Sequence, residues 1–366
     1  MKAFHCDVCG SLAFFENVLC LKCGNSLGFL PDLIDLSTIA FSPDGLCRAL
    51  APEAQNRHYR QCANGQQHQI CNWLIPAEDP DPFCAACRLN KVIPDLTVAK
   101  NRELWHQVEV AKRRMVYTLL RLGISTEGSP NENRPPLRIR FLSDAAGGPP
   151  VVTGHDDGVI TINIAEADTT ERERRRVNLR EPFRTLLGHM RHEIGHYYWG
   201  DFVNKNEHLE RFRELFGDET QDYTTALQTY YRNGAPADWQ ARHVSAYATA
   251  HPWEDWAETS AHYFHIVDTL ETAASFGLEL KPWHPDAQSM TADPKSLANV
   301  ESSFDEILGH WFPITYALNE LNRGMGLPDI YPFVLSGPAI EKLRFVHDVL
   351  CNRANRRAAG SGGISG

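Results

Sequence analysis

No stretch of the 366 residues is apolar for long enough to cross a bilayer, so a membrane-spanning protein is not expected. No apolar targeting segment stands before the first cysteine either; Met1-Lys-Ala-Phe-His leads straight into Cys6. Basic charge is also short. Lys and Arg total 36 against 46 Asp and Glu, and the net charge of −10 argues against a broad nucleic-acid surface. These absences point to a soluble cytoplasmic protein, whose thiols stay reduced and available to metal. The remaining composition, 43% hydrophobic and 22% charged, is that of a globular chain with core enough for one large domain or two.

Cysteine is concentrated near the N-terminus. Cys6-Asp-Val-Cys9-Gly10 and Cys20-Leu-Lys-Cys23-Gly24 are two C-x2-C-G knuckles. In each, glycine lets the backbone curl so that amides point at the thiolates, and two knuckles complete a tetrahedral four-thiolate zinc site. Four thiolates leave no open position, so this site is expected to be structural. A second set, Cys62, Cys71, Cys84 and Cys87, is expected to do the same, with Cys47, His58 and His68 as possible substitutes for one ligand. A Pro- and Gly-rich segment with few apolar runs needs such metal to stay folded. Residues 1–95 carry seven Lys/Arg and ten Asp/Glu. That acidity makes a protein partner a better expectation than nucleic acid for this zinc-ribbon-like module.

The boundary is placed at Pro94–Thr97. Leu104, Val108, Ala111, Met115 and Leu119 then recur at helical spacing, and a long amphipathic helix is expected over 97–122. Lys112, Arg113 and Arg114 fall off that stripe and are expected on a solvated face. Leu137–Leu142 and Val159–Ile164 read as strands, with turns at Gly147–Pro150 and Asp156–Gly158. The mixed charges of 171–176 read as an exposed helix face. Residues 203–250 read as helical, broken at Gly217 and Asn233–Pro236. A short helix is expected over Ile340–Val349, and 356–366 as a disordered tail.

The chemistry centres on Thr185–Trp199, which contains H-E-x-x-H as His192, Glu193 and His196. Residues four apart on a helix stand one turn above each other, so both imidazoles reach one point, as two ligands of a zinc ion must. Glu193 sits beside the first histidine, where a carboxylate can deprotonate a water. A second stretch, His251-Pro-Trp-Glu-Asp-Trp-Ala-Glu-Thr-Ser-Ala-His262, places Glu254 and Glu258 on one helix face. Carboxylates on an alanine- and aromatic-rich helix need partners if buried, and zinc and a zinc-bound histidine are such partners. The alternative is a solvated face. Ala257 and Ala261 would let this helix approach another closely.

His192-Glu193-x-x-His196 followed by Glu254-x-x-Ala257-Glu258 resembles the gluzincin metallopeptidases that carry an E-x-x-A-E helix. With its cysteine sets, the whole chain resembles a bacterial family of zinc-binding metallopeptidases with an N-terminal zinc-ribbon region. That resemblance implies Glu254 as third zinc ligand and Glu258 as the carboxylate orienting a ligand histidine. It also implies a Tyr or His that stabilises the oxyanion shortly before the third ligand: Tyr247, seven residues ahead, or His251, three ahead. A metzincin would need a third histidine at position 202, which is Phe. Asp201, Glu207 and His208 stand as fallback third ligands.

The expected fold is α+β: a zinc-ribbon-like module over 1–95 and a mainly helical zincin-type metallopeptidase domain over 96–355. A small sheet is expected beneath the active-site helix, with an edge near Val159–Ile164 open to an extended substrate. One catalytic and two structural zinc ions are expected, with a peptide or protein as substrate. The rival reading is a zinc-stabilised interaction module whose zincin domain does not turn over; hydrolysis of a non-peptide amide is a third.

Overall fold

Each C-x2-C-G segment folds as its glycine dictates. Gly10 and Gly24 take positive φ (68° and 73°), and their amides donate to the carbonyls of Cys6 and Cys20 at 2.8 and 2.9 Å. Strands β1 (Phe4–His5) and β2 (Leu12–Ala13) flank the first knuckle. Five antiparallel strands follow in sequential order: β3 (Leu27–Leu30), β4 (Asp35–Phe41), β5 (Cys47–Ala49), β6 (His58–Gln61) and β7 (Leu74–Pro76). A short helix, α1 (Ala63–His68), lies between Cys62 and Cys71. The computed structural model describes residues 1–128, 135–144, 151–173, 185–204, 208–283, 289–297 and 302–361. The expected turn at 147–150, the end of the charged run 171–176, Glu207 and the last residues of the tail lie outside them.

Helix α2 spans Ala99–Arg121, close to the expected 97–122, and its stripe Leu104, Val108, Ala111, Met115 and Leu119 is buried as the spacing predicts. Tyr117 of α2 meets the ring of Phe15 at 5.4 Å, and Phe15 meets Phe29 at 4.9 Å. Trp73 closes the cluster against Phe29 at 4.6 Å. Aromatic pairs of this kind contribute about 0.5–1.5 kcal/mol each beyond their burial.

The off-stripe face of α2 differs from expectation. Arg114 is partly exposed and pairs with Glu16 at 2.6 Å, but Lys112 and Arg113 are 0% and 2% exposed. Their neighbour Glu109, also buried, lies 2.8 Å from Lys112 and 3.8 Å from Arg113, so the helix carries an internal charge cluster.

A four-stranded sheet runs in the order β10 (Gly154–Asp156), β11 (Val159–Asn163), β9 (Arg138–Leu142), β8 (Asn90–Val92). Asp157 and Gly158 both have positive φ (42° and 76°), as a two-residue hairpin turn matched to strand twist requires. The expected open edge at Val159–Ile164 is not found. Strand β11 is bonded on both sides, to β10 and β9, and the outer strands are β8 and β10.

The fold is α+β, with an N-terminal zinc-ribbon region followed by a mainly helical region with a small sheet. The described residues form two compact units, the first holding those up to 173 together with 185–187. Helix α2, the β1–β2 pair and the five- and four-stranded sheets belong to it. The second begins at Gly188 and is helical. It contains most of α3 (Leu186–Trp199), then α4 (Leu209–Phe216), α5 (Tyr223–Asn233), α6 (Pro252–Ser275), α7 (Phe304–Gly324) and α8 (Gly337–Ser361). The breaks at Gly217 and Gly234 fall where expected. Helix α7 was not read from the sequence, although Ser303 and Glu306 form a capping box at its start. Helix α8 extends well beyond Ile340–Val349, to Ser361. No described helix is long and apolar enough to cross a membrane.

Candidate metal centre

Helices α3 and α6 touch where neither has bulk. A Cβ added to Gly195 would lie 2.9 Å from Ala257 Cα and 3.3 Å from Ser260 Cβ. Trp256 Nε1 donates to the Gly195 carbonyl at 2.9 Å, locking the crossing. The small residue between the two histidines and the alanine between the two glutamates thus bring both motifs together. Gly195→Val is expected to force the helices apart, costing about 1–3 kcal/mol of stability, and to weaken metal retention at the histidines. Thermal melting alongside metal analysis checks this; a variant that melts and holds metal like wild type refutes it.

His192, His196 and Glu254 are all buried and converge. The two Nε2 atoms are 3.1 Å apart, and Glu254 Oε2 lies 3.0 Å from His192 Nε2 and 3.5 Å from His196 Nε2. Ligands on bonds of about 2.0–2.1 Å at tetrahedral angles stand about 3.3 Å apart. His192 Nδ1 donates to Glu258 Oε1 at 2.7 Å, which leaves Nε2 as a lone pair aimed at its two neighbours. Apart from those two imidazoles, Glu254 Oε2 has no hydrogen-bond partner among the described residues. Three electron-rich atoms facing one another in a buried place call for a cation, and the donor set of two imidazoles and one carboxylate suits zinc with a position left open. The same demand shows in proton affinities. Burial opposes a charge on His192, but Glu254 and Glu258 outweigh it and hold its pKa well above the usual value. Burial likewise opposes ionised Glu254, and the two histidines overcome it to hold that pKa well below the carboxylate range.

Glu193 is not one of the convergent ligands. Its Oε1 lies 3.4 Å from His189 Nε2, and its Oε2 has no hydrogen-bond partner among the described residues. Burial pushes its pKa up, while His189, His192 and His196 together pull it below the ordinary value, so it is ionised at neutral pH. Tyr247 stands on a short turn, Tyr247–Thr249, with its ring 5.9 Å from that of His192. Burial and then Glu254 hold its hydroxyl protonated. His251 is not part of the group. It caps α6, with Nδ1 accepting from Trp253 N–H at 3.1 Å and Nε2 lying 3.2 Å from the Gln221 carbonyl. Of the fallback ligands, His208 stands with its ring 6.1 Å from that of Phe345, and the Asp201 and Glu207 side chains lie outside the described residues.

Two supporting residues were not read from the sequence. Tyr223 of α5 donates to Glu254 Oε1 at 2.5 Å, and Ser245 donates to Glu258 Oε2 at 2.5 Å. Neither has a local signal, since each lies far in sequence from the carboxylate it holds. His189 did have one, because it stands one helical turn before Glu193.

Both cysteine sets also gather. Sγ separations are 3.6 Å for Cys6–Cys23, 3.6 Å for Cys9–Cys20 and 3.7 Å for Cys71–Cys84. Zinc–sulfur bonds of about 2.3 Å give tetrahedral edges of about 3.8 Å, whereas disulfide sulfurs stand about 2.05 Å apart. The possible substitutes are not involved. His58 is exposed, His68 packs edge-on to Trp105 with centroids 5.5 Å apart, and burial raises the Cys47 thiol to about 11.

Residues 3–98 match a zinc-ribbon domain, and residues 101–349 match the family described as "putative zinc-binding metallo-peptidase". The chain belongs to that metallopeptidase family. Proteins similar to this chain occur in Mycobacterium bovis and in two strains of Mycobacterium tuberculosis. These are 42% identical over 351 residues, covering 96% of this chain and 95% of theirs, and each bears the name uncharacterized protein. No solved structure matches.

Proposed function

We propose that the protein is a zinc-dependent peptidase whose catalytic ion is held by His192, His196 and Glu254. The observation that carries this reading is the pairing of three convergent, buried ligand atoms with an ionised Glu193 that ligates nothing. Bound there, zinc would supply a Lewis acid and a water of near-neutral pKa. Glu193, with one oxygen that has no hydrogen-bond partner among the described residues, takes the proton of the attacking water and returns it to the leaving amine. Tyr247, kept protonated, donates to the oxyanion of the tetrahedral intermediate. Glu258, itself held by Ser245, accepts the Nδ1–H of His192, and Tyr223 holds the outer oxygen of Glu254, so both ligands keep their orientation.

The two cysteine sets hold structural zinc in this reading. None of the nine cysteines whose side chains are described is in a disulfide, which fits a reducing compartment such as the cytoplasm. For the ribbon region we infer a protein partner, from its acidic balance and from the exposed Val8, Phe14 and Leu21 on the first knuckle pair. The rival, a binding module without turnover, has no use for a buried ionised Glu193. A peptide library incubated with zinc-loaded protein tests the proposal. Cleavage should appear, stop on chelation and return with added zinc. Binding without cleavage under all three conditions supports the rival.

A further inference from the structure

Helix α2 is stitched to both halves of the second cysteine set. Arg113 Nη1 donates to the carbonyl of Ile70, next to Cys71, at 2.6 Å. Arg102 Nη2 donates to the carbonyl of His68 in the same connection at 2.7 Å. On the other side Lys112 Nζ donates to Asn90 Oδ1 at 2.5 Å, three residues after Cys87, and Asn90 Nδ2 donates to Glu109 Oε1 at 2.7 Å. Lys112, Arg113 and Glu109 are all within 2% of complete burial.

Two buried cations and one buried carboxylate leave an excess positive charge, which a protein interior tolerates only beside a counter-charge. Four thiolates around a zinc ion carry a net charge of about −2 by valence. We propose that Lys112 and Arg113 are the buried counter-charges of the Cys62/Cys71/Cys84/Cys87 zinc site, so that this site and helix α2 form one zinc-dependent folding unit. The electrostatics agree. Burial works against both cations, yet Glu109 with Cys87 and Cys84, and for Arg113 foremost Cys71, hold their pKa values above the usual range. Among the described residues the first cysteine set has no such helix, and the side chains beside its thiols, Thr38, Asn25 and Ser11, are neutral. The zinc state of the second site is thereby read out by the helix in which the metallopeptidase match begins, independently of whether the protein cleaves peptides.

The test uses the full chain loaded with zinc. Arg113→Met keeps an unbranched apolar stem and removes the charge, while Arg113→Lys keeps the charge. Transfer of zinc to a chromogenic chelator should become at least tenfold faster for one ion in Arg113→Met, with the other ions unchanged and most of the loss restored in Arg113→Lys. Equal release in all three proteins overturns the proposal. Should Arg113→Met yield no folded protein, hydrogen exchange on two cysteine variants decides. Cys84→Ser should expose the amides of 99–121, and Cys20→Ser should leave them protected. Protection of α2 in both, or its loss in both, overturns the proposal.

Discussion

Glu193→Gln is expected to cut peptide turnover by about 10²–10⁴-fold, the usual share of a general base, with the metal content unchanged. Glutamine keeps the size of the side chain and removes the basic oxygen. Glu193 is 4% exposed and does not belong to the convergent ligand group, so its replacement removes no ligand. The hydrogen-bonding demand it leaves behind is small, because among the described residues its Oε2 has no hydrogen-bond partner and its Oε1 stands 3.4 Å from His189 Nε2. Steady-state cleavage of a library-derived peptide, with zinc analysis on the same samples, provides the measurement. Full activity in the variant would remove Glu193 from the mechanism. Loss of metal together with activity would instead make Glu193 a supporting residue of the site.

Glu254→Ala should lower the zinc content of the chain from three ions to two, the thiolate-bound ions remaining. Glu254 is 1% exposed and contributes the only carboxylate oxygen in the convergent group, so alanine leaves two imidazoles alone in a buried place. The outer partners should act more mildly. Glu258→Ala and Tyr223→Phe leave all three ligands in place and are expected to weaken metal affinity by about 10–100-fold each. The ordering is the informative outcome, read by elemental analysis at graded chelator concentrations. If Glu254→Ala retains three ions, the third ligand lies elsewhere. A value of one ion in wild type would instead overturn the second cysteine site.

Much of the candidate site was legible because its parts repeat locally. His192 and His196 are one turn apart, Glu254 and Glu258 are one turn apart, and each knuckle spans four residues; such spacings set direction before any packing occurs. Gly195 and Ala257 belong to the same local logic, since small residues inside both motifs permit the close crossing that joins them. The turn at Asp157–Gly158 was equally readable, from an Asp-Asp-Gly segment ahead of an alternating strand, whereas the short strand β10 before it was not.

What the sequence by itself determined, then, is which residues can share a face and which donor atoms they offer. Tertiary structure alone decided who stands opposite them. Tyr223 reaches Glu254 across 31 residues, Ser245 reaches Glu258 across 13, and Glu258 reaches His192 across 66. The same holds for Lys112 and Arg113. Helical periodicity places them off the apolar stripe, where a solvated face is the natural expectation, and only the packing of α2 against the second cysteine set turns that face inward. Strand β11 likewise reads as half-buried by alternation, but its two neighbours, and hence its loss of a free edge, follow from pairings that alternation does not encode. Periodicity acts over a few residues, whereas counter-charges, outer hydrogen bonds and strand order are settled by segments that meet only when the chain has folded.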